Sequence, residues 1–260
     1  MEAQIKTAVK AGNSSAVILP RAWLNKEVRI ELVKKTPEMI LCDVLTTLKK
    51  HISLESIIGI YLVGSYARGE EEEGSDMDIL VVTDNIDREM IENGIYNIFV
   101  ISWQLLHQKL SKDLFPIGQM IREARPLLNS GYIKDLKIKV TRKNVKWYLD
   151  TTGEKLKIIK NYLNGIKTEN KKYLSDKVAY TLVLRIRTLE IIKKLIENKV
   201  YSKKEFVKLI ENISDGKGAY GGYLNIKNNL GDKTKITLEE AGKLYEYLKK
   251  DLTKVLGMLK

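Results

Sequence analysis

The spacing of hydrophobic positions changes twice along the chain and divides it into three segments. Residues 1–35 contain short β-rich runs separated by turn residues. Residues 36–138 alternate continuous apolar runs, which are typical of strands covered on both faces, with amphipathic helical stretches. Residues 139–260 keep helical spacing. The pattern predicts an α+β protein with a small N-terminal β-hairpin unit, a central mixed sheet with flanking helices, and a C-terminal antiparallel helical bundle.

The first segment is expected to be a small β unit. Its runs lie around Lys6–Lys10, Ala16–Leu19 and Val28–Val33, with a Gly-Asn-Ser-Ser turn between the first two. Such a unit is too small to bury a core by itself. We therefore expect it to pack on a neighbour or on a second copy of the chain.

The middle segment predicts a helix followed by strands. Thr36 and Pro37 supply an N-cap hydroxyl and a first-turn proline for a helix that reaches about Lys49. The expected strands are Ile57–Gly64, Met77–Thr83 and Tyr96–Ser102.

The last segment predicts four helices. The Ser202…Glu205 and Thr237…Glu240 pairs each have the spacing of a capping box that opens a helix. Between them, residues 214–231 are rich in glycine and asparagine, and we expect a long loop there.

Charge is distributed unevenly over the chain. Residues 141–260 hold 27 Lys and Arg against 14 Asp and Glu, whereas residues 1–140 hold 18 against 19. A concentrated positive field favours a polyanionic partner such as RNA, DNA or nucleotide phosphates. The alternative is a Lys- and Glu-rich surface with no binding role.

Composition excludes several classes of protein. No apolar run is long enough to span a bilayer, so no membrane partner is expected. A single cysteine, Cys42, forms no internal disulfide and fits a reducing cytoplasm. With only His51 and His107 beside it, the usual ligand set of structural zinc is missing.

One short stretch carries candidate chemistry. Gly64 and Ser65 end an apolar strand, and Asp76 and Asp78 flank the start of the next one. Residues two apart on a strand point to the same side, so these carboxylates can converge on one hard cation such as Mg²⁺. A Gly-Ser turn lets phosphate approach the backbone. If the strands are neighbours, the arrangement suits nucleophilic attack on a nucleoside triphosphate.

The same stretch resembles the DNA polymerase β-like nucleotidyltransferase superfamily, in its minimal and kanamycin-nucleotidyltransferase-like branch. The matching residues are "GSYARGEEEEGSDMDILVV", with G-S, ten residues, and then D-x-D. The resemblance implies that Gly64 and Ser65 hold the triphosphate and that Asp76 and Asp78 ligate Mg²⁺ or Mn²⁺. It implies that an acceptor hydroxyl attacks the α-phosphate of an NTP and that pyrophosphate is released. ATP is the expected NTP. Arg68 is expected either near phosphate or paired with a carboxylate.

One position departs from that family's pattern. The family usually has a third carboxylate on the next strand, where this chain has Asn97. Asparagine can ligate Mg²⁺ through its carbonyl but cannot accept a proton. Glu92 or Asp87 could substitute, and a weakly active or inactive relative stays open. The intervening Glu70–Glu73 is expected to be a solvated turn.

The N-terminal stretch "KAGNSSAVILPRAWL…KEVRIEL" resembles the AbrB/SpoVT swapped-hairpin family. Members interleave two chains and bind DNA, often as antitoxins or transition-state regulators. The resemblance implies a homodimer and DNA contacts through Lys10 and Arg21. The alternative is a hairpin that only completes a dimer interface.

The acceptor is left open by the sequence. Minimal nucleotidyltransferases often pair with HEPN ribonucleases, but both histidines lie before residue 108, so this bundle lacks the HEPN Arg…His motif. The acceptor hydroxyl is expected on an RNA end or on a protein side chain, and the positive charge of the bundle disfavours cationic aminoglycosides. Membership in a toxin–antitoxin system is a further expectation. A DNA-binding regulator is the other hypothesis. Four aromatic residues could stack on bases or serve in packing: Trp147, Tyr148, Tyr220 and Tyr223.

Overall fold

The structure is a computed structural model that describes residues 4–6, 8–31, 33–168, 172–234 and 236–259. Its strands are β1 Val9–Ala11, β2 Ser14–Ala16, β3 Ile57–Val63, β4 Met77–Thr83, β5 Arg88–Asn93, β6 Tyr96–Ser102 and β7 Arg125–Leu128. Its α-helices are α1 Pro37–Leu48, α2 Gly64–Arg68, α3 Trp103–Lys112, α4 Ile117–Glu123, α5 Ser130–Asp135, α6 Lys146–Thr168, α7 Asp176–Ile196, α8 Lys203–Ser214, α9 Gly218–Lys227 and α10 Leu238–Met258. The predicted α+β class is confirmed.

The central sheet has five strands in the order β5-β6-β4-β3-β7. Strands β4 and β6 are parallel, and the other neighbours are antiparallel. The strand that ends at the Gly-Ser turn, β3, and the strand that begins at the Asp-x-Asp motif, β4, are therefore hydrogen-bonded neighbours, as the sequence argument required. Both faces of the sheet are covered, which explains why its inner strands are apolar at successive positions.

Each face of the sheet has its own core. On one face, Ile79 and Ile98 pack against α1 residues such as Val44. On the other face, Leu80 and Val82 belong to a larger core that continues through α3 and α4 into the helical bundle. The sheet and the bundle thus share hydrophobic contacts, and the division at residues 138/139 stays a prediction.

Two helices of the bundle begin at short polar side chains that cap them. The Ser202 hydroxyl accepts from the amide of Glu205 at 3.2 Å and caps α8. Thr237 and Glu240 form a complete capping box at the start of α10. Both helix starts lie where the capping pattern placed them.

The expected loop over residues 214–231 is wrong, because most of it is the helix α9. The glycines that suggested a loop serve close packing instead. A Cβ at Gly222 would lie 2.7 Å from Oδ1 of Asp176 at the start of α7. A residue without a side chain lets the two helices approach, and this contact outweighs the low helix propensity of glycine.

The N-terminal segment forms only part of the expected β unit. Strands β1 and β2 pair as an antiparallel hairpin, with Val9 opposite Ala16. In the run at 28–33, the described residues 28–31 and 33 form no strand, and residue 32 lies outside the described residues. Large apolar side chains of this segment are exposed, among them Ile18 and Leu24. Dimerisation, DNA binding and the boundary at residues 35/36 stay predictions.

None of the helices in the described part of the chain is long and apolar enough to cross a membrane. Cys42 is exposed.

Candidate active site

Strand register brings the predicted motif residues to one edge of the sheet. Asp78 lies opposite Val63, the last residue of β3, and also opposite Asn97 on the parallel strand β6. Gly64 follows Val63 directly and begins α2. The structure therefore gathers Gly64, Asp78 and Asn97 at the ends of three adjacent strands.

Gly64 is required at its position for two reasons. Its φ of +71° lies in the left-handed region that favours glycine. A Cβ atom there would also lie far inside contact distance of Oδ2 of Asp78. Its amide donates a hydrogen bond of 2.8 Å to Oε1 of Glu123, so a carboxylate and not a phosphate meets this N–H in the structure.

Asp78 is a half-buried carboxylate next to another one. Burial raises its pKa, the hydrogen bond from the Asn97 side chain lowers it, and Asp76 raises it again. Asp76 is exposed and directly precedes β4. Since Asp76 makes Asp78 harder to ionise, a divalent cation bound to the two carboxylates would favour the ionised form of Asp78.

The residues present fit Mg²⁺ held mainly by two carboxylates. Within the described ranges, no cluster of three or more His, Cys, Asp or Glu side chains could enclose a metal. Mg²⁺ commonly uses one or two carboxylates and takes its other ligands from water and substrate phosphates. Asp76 and Asp78 match that donor set, and Asn97 is in position beside them as an oxygen donor.

The two proposed substitutes for the third carboxylate lie in different places. Asp87 accepts hydrogen bonds from the amide and the hydroxyl of Ser102 at 2.6 and 3.1 Å, which is the opposite end of β6 from Asn97. Glu92 lies opposite Asn97 on the edge strand β5 and is exposed. It shares the sheet face of Asn97 but is separated from Asp78 by the intervening strand.

Arg68 is paired with carboxylates, which is one of its two predicted roles. Its Nη1 donates to Oε2 of Glu123 at 2.6 Å and its Nε to Oε2 of Glu70 at 3.0 Å. All three side chains are nearly buried, with exposures of 10% for Arg68, 3% for Glu123 and 7% for Glu70. Arg68 still lines the cavity beside Asp78, but two carboxylates hold its guanidinium.

The expectation of a solvated turn is wrong for Glu70. Its carboxylate accepts from the Ser202 hydroxyl at 2.6 Å and from the amide of Lys203 at 2.9 Å, at the start of α8. Burial alone would raise its pKa, but these hydrogen bonds and the one from Arg68 outweigh burial and lower the pKa to about 2. The Glu70 side chain thus connects the helical bundle to the loop that follows α2. Glu71 and Glu73 are exposed as expected.

A cavity of about 320 Å³ opens between this edge of the sheet and the bundle. The sheet side contributes Gly64, Ser65, Arg68 and Asp78. The bundle contributes residues that are cationic or aromatic: Arg187, Tyr201, Lys203, Tyr220, Tyr223 and Lys227. Oxygen ligands for a cation and positive side chains for an anion therefore face one space.

Three cations of the bundle converge on the cavity. The Arg187 guanidinium lies 5.5 Å from the centre of the Tyr201 ring and is hydrogen-bonded to the hydroxyls of Tyr201 and Tyr223. Although much of Lys227 is exposed, partial burial at the cavity lowers its pKa, and Arg187 and Lys203 lower it further. Because Arg187 and Lys203 make Lys227 harder to protonate, an anionic ligand in the cavity would offset the repulsion on Lys227.

The aromatic residues divide between packing and exposure. Tyr223 is buried and stacks on Tyr180 with ring centres 5.6 Å apart, so packing is its main role. Tyr220 is half-buried at the cavity. Trp147 is 63% exposed and does not line this cavity.

Sequence reasoning missed Glu123 and Arg187. Arg187 lies four residues from both Val183 and Ile191, which are buried, so its position faces the interior of the bundle. A charged residue at an interior helical position is a signal that could have identified it. Glu123, between two arginines at Arg122 and Arg125, carries no comparable pattern.

One family model matches more than half of the chain. The family model described as a nucleotidyltransferase domain matches residues 41–217. A nucleotidyltransferase-like protein from Exiguobacterium sibiricum is 13% identical, with 85% of this chain and 77% of that one covered and a TM-score of 0.36. The spectinomycin adenyltransferase AAD(9) from Enterococcus faecialis, solved with ATP and spectinomycin, is 15% identical, with 82% and 98% covered and a TM-score of 0.42.

A curated relative comes from a different class. The large ribosomal subunit protein uL1 of Mycoplasmopsis agalactiae is 27% identical over 173 residues, which cover 64% of this chain and 70% of that protein.

Proposed function

The chain belongs to the nucleotidyltransferase domain family and so moves a nucleoside monophosphate from an NTP, and we propose that Asp76 and Asp78 hold the Mg²⁺ for this transfer. The proposed acceptor is RNA. ATP is the proposed NTP. The observation that carries the proposal is the single cavity that brings the Asp76–Asp78 edge of the sheet opposite Arg187, Lys203 and Lys227 of the bundle.

Each side of the cavity has a separate task in the transfer. The acceptor hydroxyl oxygen bonds to the α-phosphorus, the bond from that phosphorus to the bridging oxygen breaks, and pyrophosphate leaves. Arg187, Lys203 and Lys227 bind the negative charge of the triphosphate and of the departing pyrophosphate. Ser65 contributes a hydroxyl beside the phosphates, and Gly64 leaves the space that Asp78 occupies.

A divalent cation bound at Asp76 and Asp78 would offset negative charge on the reacting oxygens. Asn97 orients Asp78 through its hydrogen bond and has no basic oxygen for the hydroxyl proton. That proton therefore passes to solvent in our proposal. The consequence is a slow enzyme whose rate rises with pH as more of the acceptor hydroxyl ionises.

The acceptor is proposed from charge. The segment that contributes the bundle side of the cavity carries the whole of the chain's excess of Lys and Arg over Asp and Glu. Such a surface attracts RNA and repels cationic drugs. A hydroxyl on a protein side chain is the alternative acceptor, and membership in a toxin–antitoxin system is a further part of the proposal that genetic neighbours would test.

The reaction class is tested with two labelled forms of ATP. Transfer predicts that label from α-labelled ATP, but not from γ-labelled ATP, becomes attached to RNA in the presence of Mg²⁺. Label that arrives only from the γ-position would show a kinase instead. Absence of label on RNA and on protein from either form, with the folded protein and Mg²⁺ or Mn²⁺ present, would contradict the proposed function.

A second candidate function rests on the N-terminal hairpin. Strands β1 and β2 form, and Lys10 and Arg21 are exposed beside them. We propose DNA binding through this hairpin as the alternative, with the transferase fold as a sensor. A band-shift with DNA from upstream of the gene tests it, since deletion of residues 1–35 must abolish the shift.

A further inference from the structure

A second cavity, of about 440 Å³, lies between the end of α3 and the start of α6. Its lining residues are Lys112, Asp113, Asn144, Trp147 and Tyr148. Trp147 is 63% exposed, so one of the three tryptophans of the chain presents most of its ring to solvent. Neither the nucleotide site nor the hydrophobic core explains a tryptophan at this position.

The residues next to Trp147 are held in place by hydrogen bonds. The buried Asn144 donates from Nδ2 to the carbonyls of Leu110 and Lys139 at 2.7 and 2.9 Å, which ties the start of α6 to the end of α3. The Tyr148 hydroxyl donates to Oδ1 of Asp113 at 3.0 Å. Trp147 meets the Tyr148 ring edge-on, with centres 4.9 Å apart. An aromatic ring held in place loses little conformational entropy when a ligand stacks on it.

The surroundings of Trp147 are strongly basic. The two segments that meet here, 109–113 and 139–150, contain six Lys and Arg and two Asp. Lys146 is paired with Asp150, and Lys109 lies 4.0 Å from Asp113. In the described part of the chain, no ion pair neutralises Lys112, Arg142 or Lys143. A platform ring with unpaired cations beside it has the composition of a single-stranded nucleic-acid site.

This second cavity is close to the transfer site. Asp113 lines the second cavity and Pro116 lines the first, and three residues of chain span at most about 11 Å. The Phe115 ring between them packs on Tyr148 with centres 4.6 Å apart. The linings of the two cavities are therefore joined by a short segment of chain.

We infer that the Trp147 cavity binds a single-stranded segment of the acceptor RNA, with a base stacked on Trp147 and phosphates near Lys112, Arg142 and Lys143. The inference rests on the proposed function, since it gives the acceptor of that reaction a second point of contact. It also explains how the enzyme would select polymers over small hydroxyl compounds.

Binding without NTP tests the inference separately from transfer. The probe is a fluorescein-labelled single-stranded RNA of about twelve mixed-sequence nucleotides, and fluorescence anisotropy gives its Kd for the full chain. Trp147→Ala is expected to weaken binding about tenfold, and Trp147→Phe to retain most of it. Trp103→Ala is the matched control, because Trp103 is 43% exposed on α3 and lines neither cavity. This control is expected to bind like the wild type.

Salt dependence supplies a second readout. Lys112→Gln and Lys143→Gln are each expected to reduce the slope of log K against log salt by about 0.7, the value for one phosphate contact to a single strand. Trp147→Ala is expected to leave that slope unchanged. Thermal unfolding of each variant identifies any that are misfolded. If Trp147→Ala is misfolded, Trp147→Leu serves in its place, because leucine keeps an apolar side chain but has no ring on which a base can stack.

The outcomes separate this inference from the proposed function. Equal Kd values for Trp147→Ala and Trp103→Ala, or a wild type that binds no RNA, would overturn the inference. Transfer of α-label to a protein by a chain that binds no RNA would also overturn it, while nucleotidyl transfer stands. RNA binding that depends on Trp147 in a chain that transfers no label would support the cavity and contradict the reaction.

Discussion

Asp78 occupies the space that any side chain on residue 64 would need. A Cβ at Gly64 would overlap Oδ2 of Asp78, and the φ of Gly64 is +71°. The glycine of the Gly64-Ser65 turn, which we propose lies beside the triphosphate, and the carboxylate proposed as metal ligand are therefore parts of one structural unit. A change at the turn must move the carboxylate.

Gly64→Ala is expected to abolish most transfer activity because the new methyl group displaces Asp78. Gly69→Ala is the matched control, since Gly69 has nearly the same φ, +67°, but has open space where a Cβ would lie. Both variants incur about 1–2 kcal/mol of backbone strain. Gly64→Ala also has to displace Asp78, so we expect it to be the less stable of the two. Among the folded proteins, we expect a large loss of kcat for Gly64→Ala alone, as measured by α-label transfer. Equal activities would contradict the account of this turn.

Asn97→Asp is expected to raise the rate of transfer, because it supplies the basic oxygen that this position lacks. General base catalysis supports an increase of about tenfold or more in kcat. The new carboxylate would also raise the pKa of Asp78, so the acidic limb of the pH–rate profile should move to higher pH. Asn97→Ala should slow transfer because Asp78 loses its hydrogen bond. An Asn97→Asp variant no faster than wild type would show that the proton leaves by another route.

Because Glu70 is ionised and hydrogen-bonded in the folded state, the free energy of unfolding is expected to fall when this carboxylate is protonated in acid. Its pKa is lowered to about 2, so its ionised form stabilises the folded state at pH values above the unfolded pKa of about 4.5. That contribution, about 3 kcal/mol, is lost as the pH falls from about 4.5 towards 2. Urea unfolding should show Glu70→Gln less stable than wild type at pH 7, with the difference shrinking at pH 3. Glu71→Gln, at an exposed neighbouring position, should follow the wild type at both pH values.

Arg187→Gln and Lys227→Gln are expected to raise the KM for ATP by about 10- to 100-fold each, because each removes a charged donor from the triphosphate. Lys217→Gln, at an exposed position that does not line the cavity, is the control and should keep the wild-type KM. If Arg187→Gln unfolds, Lys227→Gln tests the same point alone. Unchanged KM values for both folded variants would place the triphosphate elsewhere.

The sequence predicted the site where local pattern determines structure. Two apolar strands flanking the Gly-Ser and Asp-x-Asp residues had to be neighbours for the motif to work, and the register of Val63, Asp78 and Asn97 shows that they are. The choice between two roles for Arg68 could not be made from sequence, because its partners Glu70 and Glu123 meet it only through tertiary packing. The spacing of residues along the chain does not indicate which carboxylates pair with the Arg68 guanidinium.

The errors have the same physical origin. The glycines of residues 214–231 suggested a loop, but Gly222 allows α9 to pack closely on α7, and that contact decides the local structure. The acidic residues next to Glu70 predict a solvent-exposed side chain. Its carboxylate instead binds the start of α8, more than a hundred residues later in the sequence. Arg187 lines the cavity because the bundle packs beside this edge of the sheet. No local sequence motif encodes that tertiary relationship.

The central claim is that Asp76 and Asp78 act at the transfer step, and α-label transfer by their asparagine variants tests it most directly. Asp84→Asn is the matched control, since Asp84 is an exposed carboxylate just past the other end of β4. Loss of metal ligation removes several kcal/mol of transition-state stabilisation, so Asp76→Asn and Asp78→Asn should each transfer label at least about 100-fold more slowly than wild type. Asp84→Asn should match the wild type. Wild-type rates for folded Asp76→Asn and Asp78→Asn would contradict the account.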